Sequence, residues 1–384
     1  MTGSEMGKVA TVGMDIAKDV FQIHGVDDQG TPILRRKLKR GDLLKFFDSL
    51  EATCIGIEAG SNSHHWARSL SMLGHDVKIM PASYVHAYVK SQKNDAADAE
   101  AICEAVRRPT MRFVPIKTVD QQAVLVLHQV RSLLIHQRTM LINALRAHLS
   151  EFGIVARVGE RGVFELLKHV GDKDDGRFPK IVRNSVKILA AQIRALSVRI
   201  AACERELKSW HKKNPYSRRL EKIPGIAMLG ATALAAKVPN ATIFGSGREL
   251  AAWIGLVPQQ SSSGGVTKLG HITKRGDRYL RRLLFLGARN ILFMASSGKC
   301  TLPPTIERLR ERKPFGVVCV ALANKMARTA GAMMIKQEEF SQAAYLGRGH
   351  PRRLQSVDEM SKSRNEGDGK KDSVVIRHRV RASG

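Results

Sequence analysis

Apolar and polar residues alternate at a period of two in three consecutive stretches near the start of the chain: VATVGMDI (9–16), DVFQIHGV (19–26) and PILRRKL (32–38). Successive side chains of a strand point to opposite faces, so each stretch predicts a β-strand. Asp27, Asp28 and Gly30 supply a turn between the second and third. The pattern then changes. GDLLKFFDSL predicts a short helix, after which TCIGIEA (strand), SHHWARSLSML (helix), HDVKIM (strand) and SYVHAYV (helix) alternate.

From about 118 to 213 the apolar spacing becomes helical. Val130, Leu134, Leu141, Leu145 and Leu149 share one face, and Val186, Leu189, Ile193, Leu196, Ile200, Cys203 and Leu207 recur at alternating threes and fours, a heptad seam. GERG and GDKDDGRFP interrupt these helices. The seam fits either a hairpin within the chain or a coiled coil between chains. Residues 216–335 predict a further, mainly helical unit. IPGIAMLGATALAA resembles half of a helix-hairpin-helix, with Ala227 where a second glycine is usual. AAWIGLVP reads as an apolar strand and SSSGGVTKLG as a Ser/Gly-rich loop; in HITKRGDRYLRRLLFLGARN, which follows, Arg278, Arg281, Arg282 and Arg289 fall on adjoining faces of one helix. Residues 346–384 are charged and lack an apolar period, so a disordered tail is expected there.

Four carboxylates stand out against this framework. Asp15 lies inside the first strand, Glu58 ends the fourth, and Asp95 and Asp98 fall in KNDAADAEA, the first turn of a predicted helix. An acid in an apolar strand is costly to bury unless something compensates it, and acids three apart on a helix share a face. Divalent cations compensate such a cluster, and a pair of them serves phosphodiester cleavage. The order of elements suits an α/β, ribonuclease-H-like (RuvC-like) unit over 9–115, in which acids occupy the first and fourth strands. A lone acid or a DxxD pair carries little information, because helix N-termini favour acids anyway. The set of three elements in series carries more.

Charge supplies the partner. With 63 Lys and Arg against 35 Asp and Glu, the 384-residue chain has a formal net charge of +28, which implies a polyanion such as nucleic acid. No apolar run approaches the roughly 20 residues that span a bilayer, and no membrane partner is expected. The five cysteines are scattered without a CxxC pair, so neither a zinc ribbon nor a disulfide framework is predicted, and a cytoplasmic, nucleoid-associated setting fits. Lys93, Lys274, Arg275, Arg278, Arg281 and Arg282 are the candidate nucleic-acid contacts. His64 and His65 have no companion at zinc spacing and are assigned a structural role near Glu58.

The motifs IEAGSNSHHWARSL, PASYVHAYVKSQKNDAADAEAICEAVRRP, WIGLVPQQSSSGG, GHITKRGDRYLRRLL and VVCVALANKMAR, in series over residues 9–335, closely resemble those of DEDD-type insertion-sequence transposases. The resemblance is to the bridge-RNA-guided recombinases of the one-ten insertion-sequence family, and nearest its eleven-eleven subgroup. It implies a RuvC-like domain over 9–115, a coiled-coil connector over 118–213 and a C-terminal transposase domain over 216–335. It also implies that Asp15, Glu58, Asp95 and Asp98 hold magnesium, with two ions expected, and that a serine becomes joined to DNA. Ser263, before Gly264, matches that motif best, with Ser262 as the second choice. Donor and target DNA, a structured noncoding guide RNA and a homodimer or homotetramer are the implied partners. Three other readings share some of these residues: a Holliday-junction nuclease that uses water, an actin-like ATPase, and a non-catalytic nucleic-acid-binding protein.

Overall fold

A computed structural model of the protein describes residues 8–89, 94–172, 176–177, 179–263 and 266–347. Lys93, Gly264, Gly265 and the expected tail beyond 347 lie outside the described residues.

The first unit is a five-stranded sheet covered on both faces. Strands β1 (Thr11–Ile16), β2 (Val20–Val26) and β3 (Pro32–Lys39) form an antiparallel meander. After α1 (Leu43–Asp48), β4 (Cys54–Glu58) adds parallel to β1; after α2 (Ser63–Met72), β5 (Asp76–Met80) adds parallel to β4. The resulting order is β3-β2-β1-β4-β5. Period-two alternation divides the central strands. Val12, Met14, Ile55 and Ile57 face α1 and α2, where they pack with Phe47, Trp66 and Leu70. Gly13, Asp15, Gly56 and Glu58 point to the other face. That face is covered by α4 (Asp95–Val106), which follows the short α3 (Ala82–Val85) and a 3₁₀ turn at His86–Tyr88. One continuous helix over 83–89 was the expectation there.

The two glycines set how closely α4 can lie. Gly13 and Gly56 are paired across β1 and β4. A Cβ on Gly13 would stand 2.2 Å from the Ala99 carbonyl oxygen and 2.4 Å from the Cys103 nitrogen, and one on Gly56 would stand 2.9 Å from Val106 Cβ. The backbone of the helix therefore rests directly on the sheet, two residues from each strand acid.

The connector consists of α5 (Val119–Ser150), α6 (Glu160–Gly171) and α7 (Lys180–Lys213). Thr118 starts α5 with a capping box: its side chain accepts from Gln121 N, and the Gln121 side chain accepts from Thr118 N. α5 and α7 run antiparallel, tied by Arg131–Glu204 and by Arg138–Ser197. The heptad residues Val186, Ile193, Leu196, Ile200, Cys203 and Leu207 are buried within this one chain, against α5, α6 and α9 (Met228–Lys237). Of the two arrangements the seam allowed, the hairpin is the one that occupies it.

The last unit begins at α8 (Pro215–Glu221) and continues through α9 and α10 (Gly247–Ile254) to a hairpin of β6 (Pro258–Ser263) and β7 (Val266–Ile272). Then come α11 (Arg278–Ser296), α12 (Pro304–Arg310), α13 (Phe315–Lys336) and α14 (Gln342–Leu346). Its core is centred on Leu322, Met326 and Ala330 of α13, packed with Leu250, Leu284 and Ala288. Two expectations are corrected here. AAWIGLVP is not a strand: AAWI closes α10, and Gly255, at φ +81°, caps it in the left-handed conformation. SSSGGVTKLG is not an irregular loop, because Ser261–Ser263 and Val266–Gly270 pair as strands. A short apolar run does not distinguish strand from helix end, and Ser/Gly content marks a turn without marking the strands beside it. Ala227 stands at the N-cap of α9 and makes no side-chain cap bond. No described helix is long and apolar enough to cross a membrane.

Candidate active site

Four acids meet at one end of the sheet. β1 and β4 are parallel neighbours, so Asp15 and Glu58, each two residues beyond a paired glycine, emerge on the same face. The N-terminus of α4 approaches that face. Asn94 caps the helix, its side chain accepting from Ala97 N at 2.8 Å, and Asp95 and Asp98 occupy the first turn. Asp15 registers the consequence. Its half-buried carboxyl is pushed up to about 6 from an ordinary 3.8, first by burial, then by the charges of Asp98, Asp95 and Glu58. Among the described residues no three His, Cys, Asp or Glu converge to ion-holding geometry. The donor set itself, four carboxylates of which one is half-buried, suits hard divalent cations. Glu104, one turn further on, pairs instead with Arg108 at 3.0 Å.

The serines belong to a different unit. Ser261 and Ser262 are exposed on β6, where Gln260 Nε2 donates to Ser262 Oγ at 2.8 Å, and Ser263 ends the strand opposite Val266. β6 and β7 pair with each other and pack extensively on none of the acid-bearing elements. Among the described residues the acids thus sit on the sheet unit and its covering helix, and the serines on the hairpin of the last unit.

The basic loop after β7 is rigidly built. A Cβ on Gly255 would stand 1.9 Å from the Arg275 carbonyl oxygen, and one on Gly276 would stand 1.8 Å from that of Trp253. The loop and the end of α10 thus interlock through two glycines. Lys274 takes a left-handed φ of 53°. Arg281 is held by this framework, donating to Ile254 O at 2.7 Å and Arg275 O at 3.2 Å. Lys274, Arg275, Arg278 and Arg282 are exposed. Asp277 caps α11 by accepting from Leu280 N at 2.8 Å and also pairs with Lys237.

Two contacts escaped sequence reasoning. His64 and Arg68 of α2 grip residue 117: Lys117 N donates to His64 Nδ1 at 3.3 Å, Lys117 Nζ lies 2.7 Å from His64 Nε2, and Arg68 donates to Lys117 O at 2.7 Å. Burial pulls Lys117 down to about 8, with Lys237 adding repulsion and Asp277 opposing it. Burial, with Lys117 and Arg68 behind it, pulls His64 down to about 4. The exit of the first unit is thereby pinned within electrostatic reach of the α11 cap. The second contact is His128, buried between Tyr279 OH at 2.9 Å and Thr232 Oγ1 at 3.1 Å, which ties α5 to α9 and α11. Burial lowers its basicity to about 4. His64 plays a structural part by joining residue 117, while His65 packs edge-on against Trp66 at 4.9 Å.

An acid-bearing α/β unit joined to a basic helical unit defines a class of protein that handles DNA phosphodiesters, and the comparisons identify it as a transposase. A transposase family named for DEDD elements of IS110 matches residues 12–154, and the transposase IS116/IS110/IS902 family matches residues 217–299. The chain is 43% identical to a putative transposase, y4pF/y4sB, of Sinorhizobium fredii over 337 residues, 88% of this chain and 87% of that one. It is 41% identical to a probable family 20 transposase of Pseudomonas aeruginosa, covering 86% and 98% of the two chains. It is 38% identical to the transposase for insertion sequence element IS1111A of Coxiella burnetii, covering 87% and 92%. The chain belongs to the IS110/IS116/IS902 family of insertion-sequence transposases. It is an enzyme of DNA cleavage and rejoining.

Proposed function

We propose that this transposase cuts and rejoins DNA with two cooperating parts: a cation-binding tetrad of Asp15, Glu58, Asp95 and Asp98, and a serine nucleophile, Ser263. The observation that carries the reading is Asp15, a half-buried acid whose carboxyl is raised to about 6 by burial and by three neighbouring acids. Strand order β3-β2-β1-β4-β5, with acids ending β1 and β4, supports a ribonuclease-H-like (RuvC-like) assignment for this unit. Magnesium held by the four carboxylates would polarise the scissile phosphate. Ser263 oxygen forms a bond to phosphorus as one backbone P–O bond breaks. The proton that the hydroxyl gives up matches the one that the leaving oxygen takes, so no outside reactant is needed. Lys274, Arg275, Arg278 and Arg282 hold flanking phosphates; Lys93 belongs to the same proposal.

We infer that the acids and the serines, carried on separate units, come together between protomers. Val126, Val130, Leu133 and Met140 on α5, with Ile181, Ile188 and Val198 on α7, leave apolar surface outward and support a dimer or tetramer through the outer face of the hairpin. A noncoding guide RNA, held by the basic surface, would select donor and target DNA by base pairing.

The test is denaturing electrophoresis of labelled DNA incubated with protein, magnesium and guide RNA. A protease-sensitive covalent band is expected from the wild type and is lost in both Ser263→Ala and Asp15→Asn, while Asp15→Asn still binds DNA. A band that persists in Ser263→Ala and vanishes in Ser262→Ala moves the nucleophile one residue. A free hydroxyl product with no covalent band favours water and the junction-nuclease reading.

A further inference from the structure

Beyond Arg282, one of the proposed phosphate contacts, the outer face of α11 carries a feature that the cutting site does not use. Residues 282, 286, 289 and 293 follow one another at helical spacing, and Arg282, Leu286, Arg289 and Phe293 are all exposed. Phe293 is 55% exposed and Phe315, the first residue of α13, 45%. Their rings lie 5.3 Å apart with planes tilted by 43°. The Arg289 guanidinium sits over the Phe293 ring, 5.7 Å from its centre. Beyond Phe315, Gly316 faces open space, and Arg312 and Lys313 are exposed just before it. Arg282, Arg289, Arg312 and Lys313 have no carboxylate partner among the described residues.

We propose that Phe293 and Phe315, with the Arg289 guanidinium beside them, form a stacking platform for unpaired bases of single-stranded DNA. Two large rings left in water favour a flat apolar occupant. The cations on both sides favour an anionic one, and a DNA base on its phosphodiester backbone is both. Arg282 and Arg289 are about 10 Å apart along the helix, so they reach separate phosphates of one strand. A second copy of this chain is a poor occupant, since it brings a net charge of +28 to an already cationic face. Duplex DNA is also a poor one, because its bases are stacked on each other and offer no free face. This inference rests on the guided DNA-cutting reading for the source of the single strand, which pairing of the guide RNA with one DNA strand displaces.

The experiment uses the full chain and a single-stranded oligodeoxynucleotide carrying 2-aminopurine, whose fluorescence is quenched by stacking. Phe293→Leu and Phe315→Leu keep the apolar bulk and remove the rings. Each should lose on the order of tenfold in affinity together with the quenching. Phe293→Trp should retain both, and blunt duplex should bind all variants within about twofold of wild type. Unchanged affinity and quenching in both leucine variants overturns the platform. A ring dependence seen only with an RNA strand of the same sequence overturns the assignment to DNA. Loss of self-association by sedimentation, with unchanged DNA affinity, assigns the face to a second copy and overturns it too. The two readings fail separately. A protein that cleaves DNA without ring-dependent binding loses only the platform; one with ring-dependent binding and no cleavage loses only the cutting site.

Discussion

Gly13→Ala is the sharpest test of how this fold builds its acid cluster. The added methyl would stand 2.2 Å from the Ala99 carbonyl oxygen, 2.4 Å from the Cys103 nitrogen and 2.8 Å from Cys103 Cβ. Two of these neighbours are backbone of α4, so no side chain can turn aside. Real Cβ contacts under 3.0 Å essentially do not occur, so helix and sheet must separate by close to 1 Å at this point. Overpacking of this kind costs about 1–3 kcal/mol. The displaced helix carries Asp95 and Asp98, while Asp15 stays on the strand. A misplacement of about 1 Å at a catalytic group can cost on the order of 100-fold in rate. Cleavage of labelled DNA in magnesium should therefore fall far more than stability does, with the circular-dichroism melt still cooperative. Gly60→Ala, where the new methyl meets nothing within 4 Å, is the control and should cleave like the wild type. A Gly13→Ala protein that melts and cleaves like the wild type would refute the argument that backbone contact with the sheet positions the α4 acids.

Three other outcomes follow from the same geometry. The fold prefers Asp15 protonated, with its carboxyl raised to about 6, so in EDTA its contribution to stability is full below the ordinary 3.8 and is lost as pH rises through about 6; thermal melts should show that slope in the wild type and lack it in Asp15→Asn, and equal slopes would remove Asp15 as its source. Ile193→Lys buries an unpaired charge in the occupied seam and should cost several kcal/mol, whereas Val198→Lys, on an exposed position, should leave the melt within about 0.5 kcal/mol and weaken self-association in sedimentation; an unperturbed Ile193→Lys melt would contradict the hairpin. Gly255→Ala places a methyl 1.9 Å from the Arg275 oxygen at a positive φ, and should weaken DNA binding by loosening the 273–278 loop; fluorescence anisotropy at fixed salt reads the change, and wild-type affinity would show that the loop need not be rigid.

What the sequence disclosed depended on the range of the interactions involved. The meander β1–β3 was legible because alternation in TVGMDI and VFQIHGV is a local property of the strand. The four acids could be singled out because they sit at recognisable places in such elements. The grip of His64 on residue 117 links positions 53 apart, and the His128–Tyr279 contact spans 151; nothing local in HHWAR or LHQVR announces either partner. The heptad in α7 was visible, but its occupant was not, since an apolar seam presents the same spacing to a helix of its own chain or of another. In AAWIGLVP the four apolar residues before Gly255 carry no period long enough to tell strand from helix, and the left-handed glycine that ends α10 decided the matter.

The charge distribution adds a constraint on how cation and DNA come together. Four acids are gathered at one end of a sheet in a chain of net charge +28. The surrounding cations attract phosphate, while the acids repel it from the place where the cut is proposed to occur. On the proposed reading, a divalent ion held by Asp15, Glu58, Asp95 and Asp98 would remove that repulsion. Each ligand then improves the site for the other. Linkage requires the two effects to be equal: whatever factor magnesium adds to DNA affinity, DNA adds to magnesium affinity. Asp15, held near 6 without a cation, makes that coupling dependent on pH, because its proton must leave before the ion can use the carboxylate. On the proposed reading, proton, cation and DNA would thus compete or cooperate at one carboxyl group, because that group is half-buried beside three others.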